Sequence, residues 1–199
     1  MTHLPLAHSE FILGGQRSGK SRRAETLARQ WLDTDAQHKA VMIATAYPWD
    51  DEMRARIARH QSDRAARVPG MTTVEETVAL GEAIARSTDA NTLVVVDCLT
   101  LWLTNLLMPA EEVGASNATK ADTNASAANA INVLLQSIAQ ARGPVVLVGN
   151  EIGLGVIPMG AQVREFVDTL GRLNQDVAAA CHRVTLMVAG LPHFLKGAA

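Results

Sequence analysis

Eight consecutive residues, Gly14-Gly15-Gln16-Arg17-Ser18-Gly19-Lys20-Ser21, follow the GxxxxGK[ST] spacing of a phosphate-binding loop. Average residue usage gives such a match by chance in roughly one chain in a hundred of this length. The glycines let backbone amides wrap a phosphate chain at a helix N-terminus, where the dipole favours anions. In such a loop Lys20 reaches the β- and γ-phosphates, and the Ser21 hydroxyl ligates Mg²⁺. A metal shell also needs an acid at the end of a neighbouring strand. Thr92-Leu93-Val94-Val95-Val96-Asp97 supplies one, since a carboxylate at the edge of so apolar a run is costly unless paired or metal-linked. Asp97 could equally cap a helix starting at Cys98 or Leu99, and the two roles are compatible.

Two further residues have the surroundings for chemistry. Met53, Ile57 and His60 fall at i, i+4 and i+7, one helical face, with Arg56 and Arg64 four residues either side of His60 and Arg59 adjacent. Cations so placed disfavour the imidazolium and keep the ring nucleophilic, while their forks hold phosphate. Asp63, three residues on, could orient the ring. On residue pattern alone a partly buried structural helix histidine is the plainer reading. His3, His8, His38, His182 and His193 lack this setting. Glu151 follows an apolar strand and precedes Gly153 and Gly155, which puts it at the carboxyl edge of a sheet, where open α/β sheets bind ligands. There it could position or deprotonate a substrate hydroxyl, or it could cap a helix together with Asn150.

The elements that must position these residues alternate in type. Strands are expected at Phe11–Leu13, Ala40–Thr45, Thr92–Val96, Val145–Val148 and Arg183–Val188, the last closing the sheet. Helices are expected at Gly19 to about Leu32, from near Asp50, and at Ala161–Ala180. Asp50, Asp51 and Glu52 suit a helix start. Thr73 and Glu76 have capping-box spacing ahead of a helix running to about Arg86. Continuous apolar strands separated by helices indicate an α/β fold: one P-loop domain over residues 1–199, its sheet mostly parallel and covered by helices on both faces. Ala110–Asn129, rich in Ala, Asn, Thr and Ser with little periodicity, is expected to be a flexible excursion.

Composition narrows the partners. The chain has 199 residues and a formal net charge of −2, which argues against a protein that mainly grips nucleic acid. Residues 17–67 nevertheless hold 11 of the 18 basic side chains against 7 acids, and Arg outnumbers Lys 14 to 4, favouring a small anionic ligand. Cys98 and Cys181 form no CxxC pair and read as buried thiols of a reduced, cytoplasmic protein. Met1–Glu10 does not have the pattern of a signal peptide, and the longest apolar stretch, Leu93–Met108, is interrupted and too short to span a bilayer. No NKxD tetrapeptide is present to read guanine as a GTPase does, and a motor or transporter ATPase would be longer. The size suits a small-molecule kinase or nucleotidyl transferase. A kinase of another small hydroxylated substrate, or a nucleotide-dependent regulatory switch, fits the motifs as well.

The blocks taken together carry a resemblance. They are the phosphate loop with Arg22, Ile43-Ala44-Thr45-Ala46, Asp51-Glu52-Met53 with Arg56-Ile57 and His60, and Asp97-Cys98-Leu99-Thr100 with Leu103-Thr104-Asn105-Leu106-Leu107. Asn150-Glu151-Ile152-Gly153 with Gly155-Val156-Ile157-Pro158, and Gly171-Arg172-Leu173-Asn174-Gln175, follow in the same order. This series resembles the bifunctional adenosylcobinamide kinase/adenosylcobinamide-phosphate guanylyltransferase family over nearly the whole chain. The resemblance implies a nucleoside triphosphate, ATP or GTP, phosphorylating the aminopropanol hydroxyl of adenosylcobinamide. GTP then donates GMP to that phosphate, with release of pyrophosphate. It places the GMP-carrying histidine at His60. It also implies nucleotide contacts at Gly14–Ser21, Ala44, Thr45, Ala46, Gln61, Ser62, Asp63, Arg64, Glu75 and Asp97, Mg²⁺ at Ser21 and Asp97, and a homotrimer. Family members usually have a proline close after the histidine, where this chain has Arg64-Ala65-Ala66. With three Trp, one Tyr and three Phe, no aromatic cradle for a corrinoid is evident.

Overall fold

The computed structural model describes residues 6–48, 50–108 and 120–197. Seven strands form one sheet in the order β3-β2-β4-β5-β1-β6-β7, with β1 Ser9–Gly14, β2 Lys39–Ala44, β3 Met71–Glu75, β4 Thr92–Asp97, β5 Val145–Val148, β6 Arg183–Val188 and β7 Leu191–Lys196. The first six strands are mutually parallel, and β7 runs antiparallel to β6. Their central members are continuous apolar runs because both faces are covered: Val94, Val95 and Val96 are all fully buried.

Alternate strand residues feed two cores. Phe11, Ile43, Val94, Val96, Val145 and Leu147 face the helices α3 Leu80–Ser87, α4 Leu99–Leu107, α5 Lys120–Ala139 and α6 Ala161–Ala180, through Ile84, Trp102, Leu134 and Leu173. Ile12, Met42, Val95 and Val146 face Ala24, Leu27 and Ala28 of α1, Lys20–Thr34. Val68, at the end of α2 Asp51–Arg67, joins this second core. The α2 helix starts at Asp50, whose side chain accepts from Met53 N–H, with Asp51 and Glu52 in its first turn.

Three expectations are corrected. Residues 120–129 form the first half of α5 instead of continuing an excursion, while 110–119 lie outside the described residues. Thr73 is not a helix cap but lies within β3, and Glu76 alone serves the following helix, its Oε1 accepting from the N–H groups of Val78 and Ala79. The sheet does not end at Val188, because β7 pairs beyond it. Among the described residues no helix is long and apolar enough to cross a membrane.

Candidate active site

The site forms at the carboxyl edge of the sheet, where β1, β5, β4 and β2 all end. Between β1 and α1 the loop Gly15–Gly19 makes the turn of a phosphate cradle. Gly14 adopts φ 154°, and a Cβ there would meet Ser18 Oγ at 2.5 Å and Met187 O at 2.6 Å, so the chain can begin this turn only with glycine. Gly19 has φ 99° at the N-cap of α1, tight against Gly190. The turn between β6 and β7 locks onto the loop through Gly190 N–H donating to Ser18 O, 3.0 Å. Gln16 and Arg17 stay exposed, Ser21 is half-buried, and the buried Ser18 Oγ has no hydrogen-bond partner.

Lys20 is buried, and its Nζ donates to Gly15 O at 2.6 Å, which holds the ammonium inside the loop. Burial lowers its pKa, while the charge of the neighbouring Asp97 carboxylate pulls the other way. Asp97 ends β4 half-exposed and within electrostatic reach of Lys20. Burial pushes the Cys98 thiol up to about 11, which keeps it neutral and marks it as structural. Cys181 is likewise buried and free, with its pKa raised by burial to about 12.

Glu151 arrives from β5, and its backbone N–H donates to Gly14 O at 3.1 Å, fastening the loop after β5 to the phosphate loop. The half-buried Glu151 side chain turns its Oε1 onto Gly153 N–H at 2.6 Å. This contact closes the loop; it is not a helix cap with Asn150. Asn150 N–H instead donates to Thr100 Oγ1, and Asn150 O accepts from Asn174 Nδ2.

Ala44, Thr45 and Ala46 follow β2 along the same edge. Thr45 is fully buried, its hydroxyl donating to Cys98 O at 2.7 Å and accepting from Cys98 N–H at 2.8 Å. Thr45 therefore fixes the segment after Asp97. Asn105 Nδ2 completes the tie by donating to Thr45 O at 2.8 Å and Thr77 O at 3.0 Å. Sequence reading missed the positioning roles of Asn105, Thr100 and Asn174. The available signal was a polar residue inside an otherwise apolar helix, as at Asn105 within Leu99–Leu107.

The α2 group is placed differently. His60 is exposed, contrary to the partly buried helix histidine that residue pattern alone suggests. Asp63, expected beside the ring, instead pairs with Arg67, which also binds Glu25 of α1 at 3.0 Å. Gln61 and Glu75 are brought together, Nε2 to Oε1 at 3.1 Å, and both are exposed, as is Ser62. Arg64 turns inward, donating through Nη1 to Thr73 Oγ1 at 3.3 Å with its buried Nε unpartnered. Among the described residues no three His, Cys, Asp or Glu side chains converge to hold a metal ion. A divalent cation at Ser21 and Asp97 would complete its shell with phosphate oxygens and water.

Fold and site together define a P-loop nucleotide-binding α/β protein. The chain belongs to the cobinamide kinase / cobinamide phosphate guanyltransferase family, whose model matches residues 10–195. It is 42% identical to the bifunctional adenosylcobalamin biosynthesis protein CobP of Pseudomonas aeruginosa over 94% of this chain and 97% of that one. The bifunctional adenosylcobalamin biosynthesis proteins CobU of Escherichia coli and Salmonella typhimurium are 39% and 35% identical, each over 91% of this chain and 96% of theirs. Among solved structures, the flagellar accessory protein FlaH from Methanocaldococcus jannaschii gives a TM-score of 0.49 at 10% identity, covering 96% of this chain and 79% of that one.

Proposed function

We propose that this chain phosphorylates adenosylcobinamide and then converts the product to adenosylcobinamide-GDP through a guanylyl group carried on His60. The observation that carries the first step is Lys20, buried in the cradle beside Asp97, with Glu151 hydrogen-bonded to the start of the same loop. The substrate hydroxyl attacks the γ-phosphorus, a new O–P bond forms, the bond to the β,γ-bridging oxygen breaks, and the nucleoside diphosphate leaves. Gly153 N–H occupies Glu151 Oε1, so Oε2 is the atom we assign to accept the hydroxyl proton. Lys20 and the amides of Gly15–Gly19 hold the phosphate oxygens as charge develops. Ser21 and Asp97 offer the hard oxygen donors that suit Mg²⁺, which when bound neutralises charge on the β- and γ-phosphates.

In the second reaction a His60 ring nitrogen attacks the α-phosphorus of GTP, forming an N–P bond and releasing pyrophosphate. A phosphate oxygen of the phosphorylated corrinoid then displaces the imidazole. Exposure of His60 on an arginine-rich helix supports this reading, since a carrier must be reachable by both donor and acceptor. Gln61, Ser62, Arg64 and Glu75 would then serve the nucleotide near α2 and β3. We assign the working form to a homotrimer, as the family resemblance implies, and to the cytoplasm, as the two free buried cysteines suggest.

Labelling tests the proposal. GTP carrying label at the α-phosphorus should mark the protein with a base-stable, acid-labile bond that added pyrophosphate reverses, and γ-labelled GTP should mark nothing. His60→Ala should abolish labelling and guanylyl transfer while phosphorylation of adenosylcobinamide stays within about threefold. A labelled Ala variant would place the carrier elsewhere. Wild type that is never labelled would leave a plain kinase.

A further inference from the structure

The loop after Glu151 displays an unusual run of apolar side chains. Leu154 is 84% exposed, Val156 96%, Ile157 78% and Met159 95%, with Ile152 and Val163 also exposed at the ends of the run. Scattered exposed apolar residues are ordinary, but so many near-fully exposed ones on a single loop mark a recognition surface. This loop is not simply uncollapsed chain, because it is held at both ends by polar contacts. Glu151 Oε1 accepts from Gly153 N–H, and Arg164 Nη1 donates to Pro158 O at 2.9 Å and Met159 O at 2.5 Å.

Beside the loop, α6 presents Arg164, Asp168 and Arg172 at i, i+4 and i+8, one line along the helix. A groove of about 560 Å³ lies between that line and the apolar loop, and a second of about 490 Å³ lies on its other side against α5. All three residues line both grooves, whose sizes fall in the range of small-molecule sites.

We infer that residues 152–159 and the Arg164–Asp168–Arg172 line of α6 form the docking site for the body of the corrinoid substrate. The inference rests on the proposed function, which requires a hydroxyl at Glu151 joined to a large macrocycle that must lie somewhere continuous with it. The loop is that continuation, since Glu151 is its first residue and is bonded to Gly14 of the phosphate loop. A corrinoid ring has a methyl-studded rim, which suits Val156, Ile157 and Met159. Its amide arms both donate and accept hydrogen bonds, and a row of alternating guanidinium and carboxylate groups can answer both.

The test uses the full chain with Val156→Ser and Met159→Ser combined. Both side chains are almost wholly in solvent, so serine leaves the cores untouched. KM for adenosylcobinamide in the kinase reaction should rise at least tenfold. Labelling of the protein by α-labelled GTP without corrinoid should stay within twofold, and the mass by light scattering should be unchanged. A KM within twofold of wild type overturns the inference. So does a fall in assembly mass, which would make the patch a contact between copies. Failure of wild type itself to phosphorylate adenosylcobinamide would overturn the functional reading beneath it, a result distinct from an indifferent double variant.

Discussion

Lys20 shows how the cradle sets its own electrostatics. An ammonium held by one carbonyl at 2.6 Å and otherwise buried carries a desolvation cost that a triphosphate would relieve. Its pKa is lowered, so between that value and the ordinary lysine value of 10.5 the unfolded chain binds more protons than the folded one. The lysine therefore makes the unliganded fold more stable as pH rises through that window. Nucleotide binding has the opposite sign, because phosphate favours the protonated lysine. Affinity for ATP should hold below the lowered pKa and fall as pH rises through it, and Lys20→Arg should flatten that limb because a guanidinium stays charged. Lys20→Ala should lower kinase turnover by about 10²–10³, the scale for removing one preorganised donor from a transition state. Titration of ATP affinity against pH, together with kinetics of both variants, checks the assignment. A lysine variant with normal turnover would remove Lys20 from the site.

At the scale of elements, the site is a set of loops tied to one another after the strands have ended. Asn105 joins the segments after β2 and β3 from within α4, and Thr45 fixes the turn that carries Asp97. Asn105→Leu keeps the volume but leaves the carbonyls of Thr45 and Thr77 without this donor, a loss of about 2 kcal/mol. For a chain of this size that lowers Tm by about 4–8 °C. KM for the nucleotide should rise with it, since Ala44–Ala46 and Asp97 lose their common tie; thermal melts and kinase kinetics read both effects. The central strands and the phosphate loop were legible in the sequence because each is a local pattern: Val94–Val96 is an unbroken apolar run, and Gly14–Ser21 is a spacing. The β3 strand was hidden because Thr72, Thr73 and Glu75 are exposed on an edge and their polar side chains imitate a helix start. The β7 strand was hidden by Pro192, which within a sheet an edge position tolerates. The Thr45–Cys98 and Asn105–Thr77 contacts span 53 and 28 residues, and no local pattern encodes such pairings.

For the molecule as a whole, the two proposed reactions make different demands on one edge. The residues proposed for the kinase chemistry sit after β1, β5 and β4, near the middle of the sheet. His60 is the tenth residue of α2, about 14 Å along the helix axis from Asp51 at 1.5 Å per residue. The β3 strand that follows α2 stands four places from β1, about 19 Å at the usual strand spacing. Few apolar contacts hold α2 down. Val68 at its end is in the core, and its other named attachments are Arg67 to Glu25, Gln61 to Glu75 and Arg64 to Thr73. The exposed ion pairs and hydrogen bonds among these contribute little each, so α2 can shift without opening either core. On the proposed mechanism His60 must approach the α-phosphate of a nucleotide held at Gly14–Ser21, and an inward swing of α2, which its few attachments permit, would bring it there. Amide hydrogen exchange should therefore be faster along residues 53–63 than along α1 or the second half of α6 in the free protein. A GTP analogue with a methylene bridge between the α- and β-phosphates, which cannot guanylylate His60, should slow exchange in that stretch at least fivefold. The same protection in His60→Ala would show that nucleotide binding, rather than the covalent bond, draws the helix in. Exchange in residues 53–63 that is already slow and indifferent to the analogue would mean that α2 is fixed where it stands, and His60 could not then be the carrier.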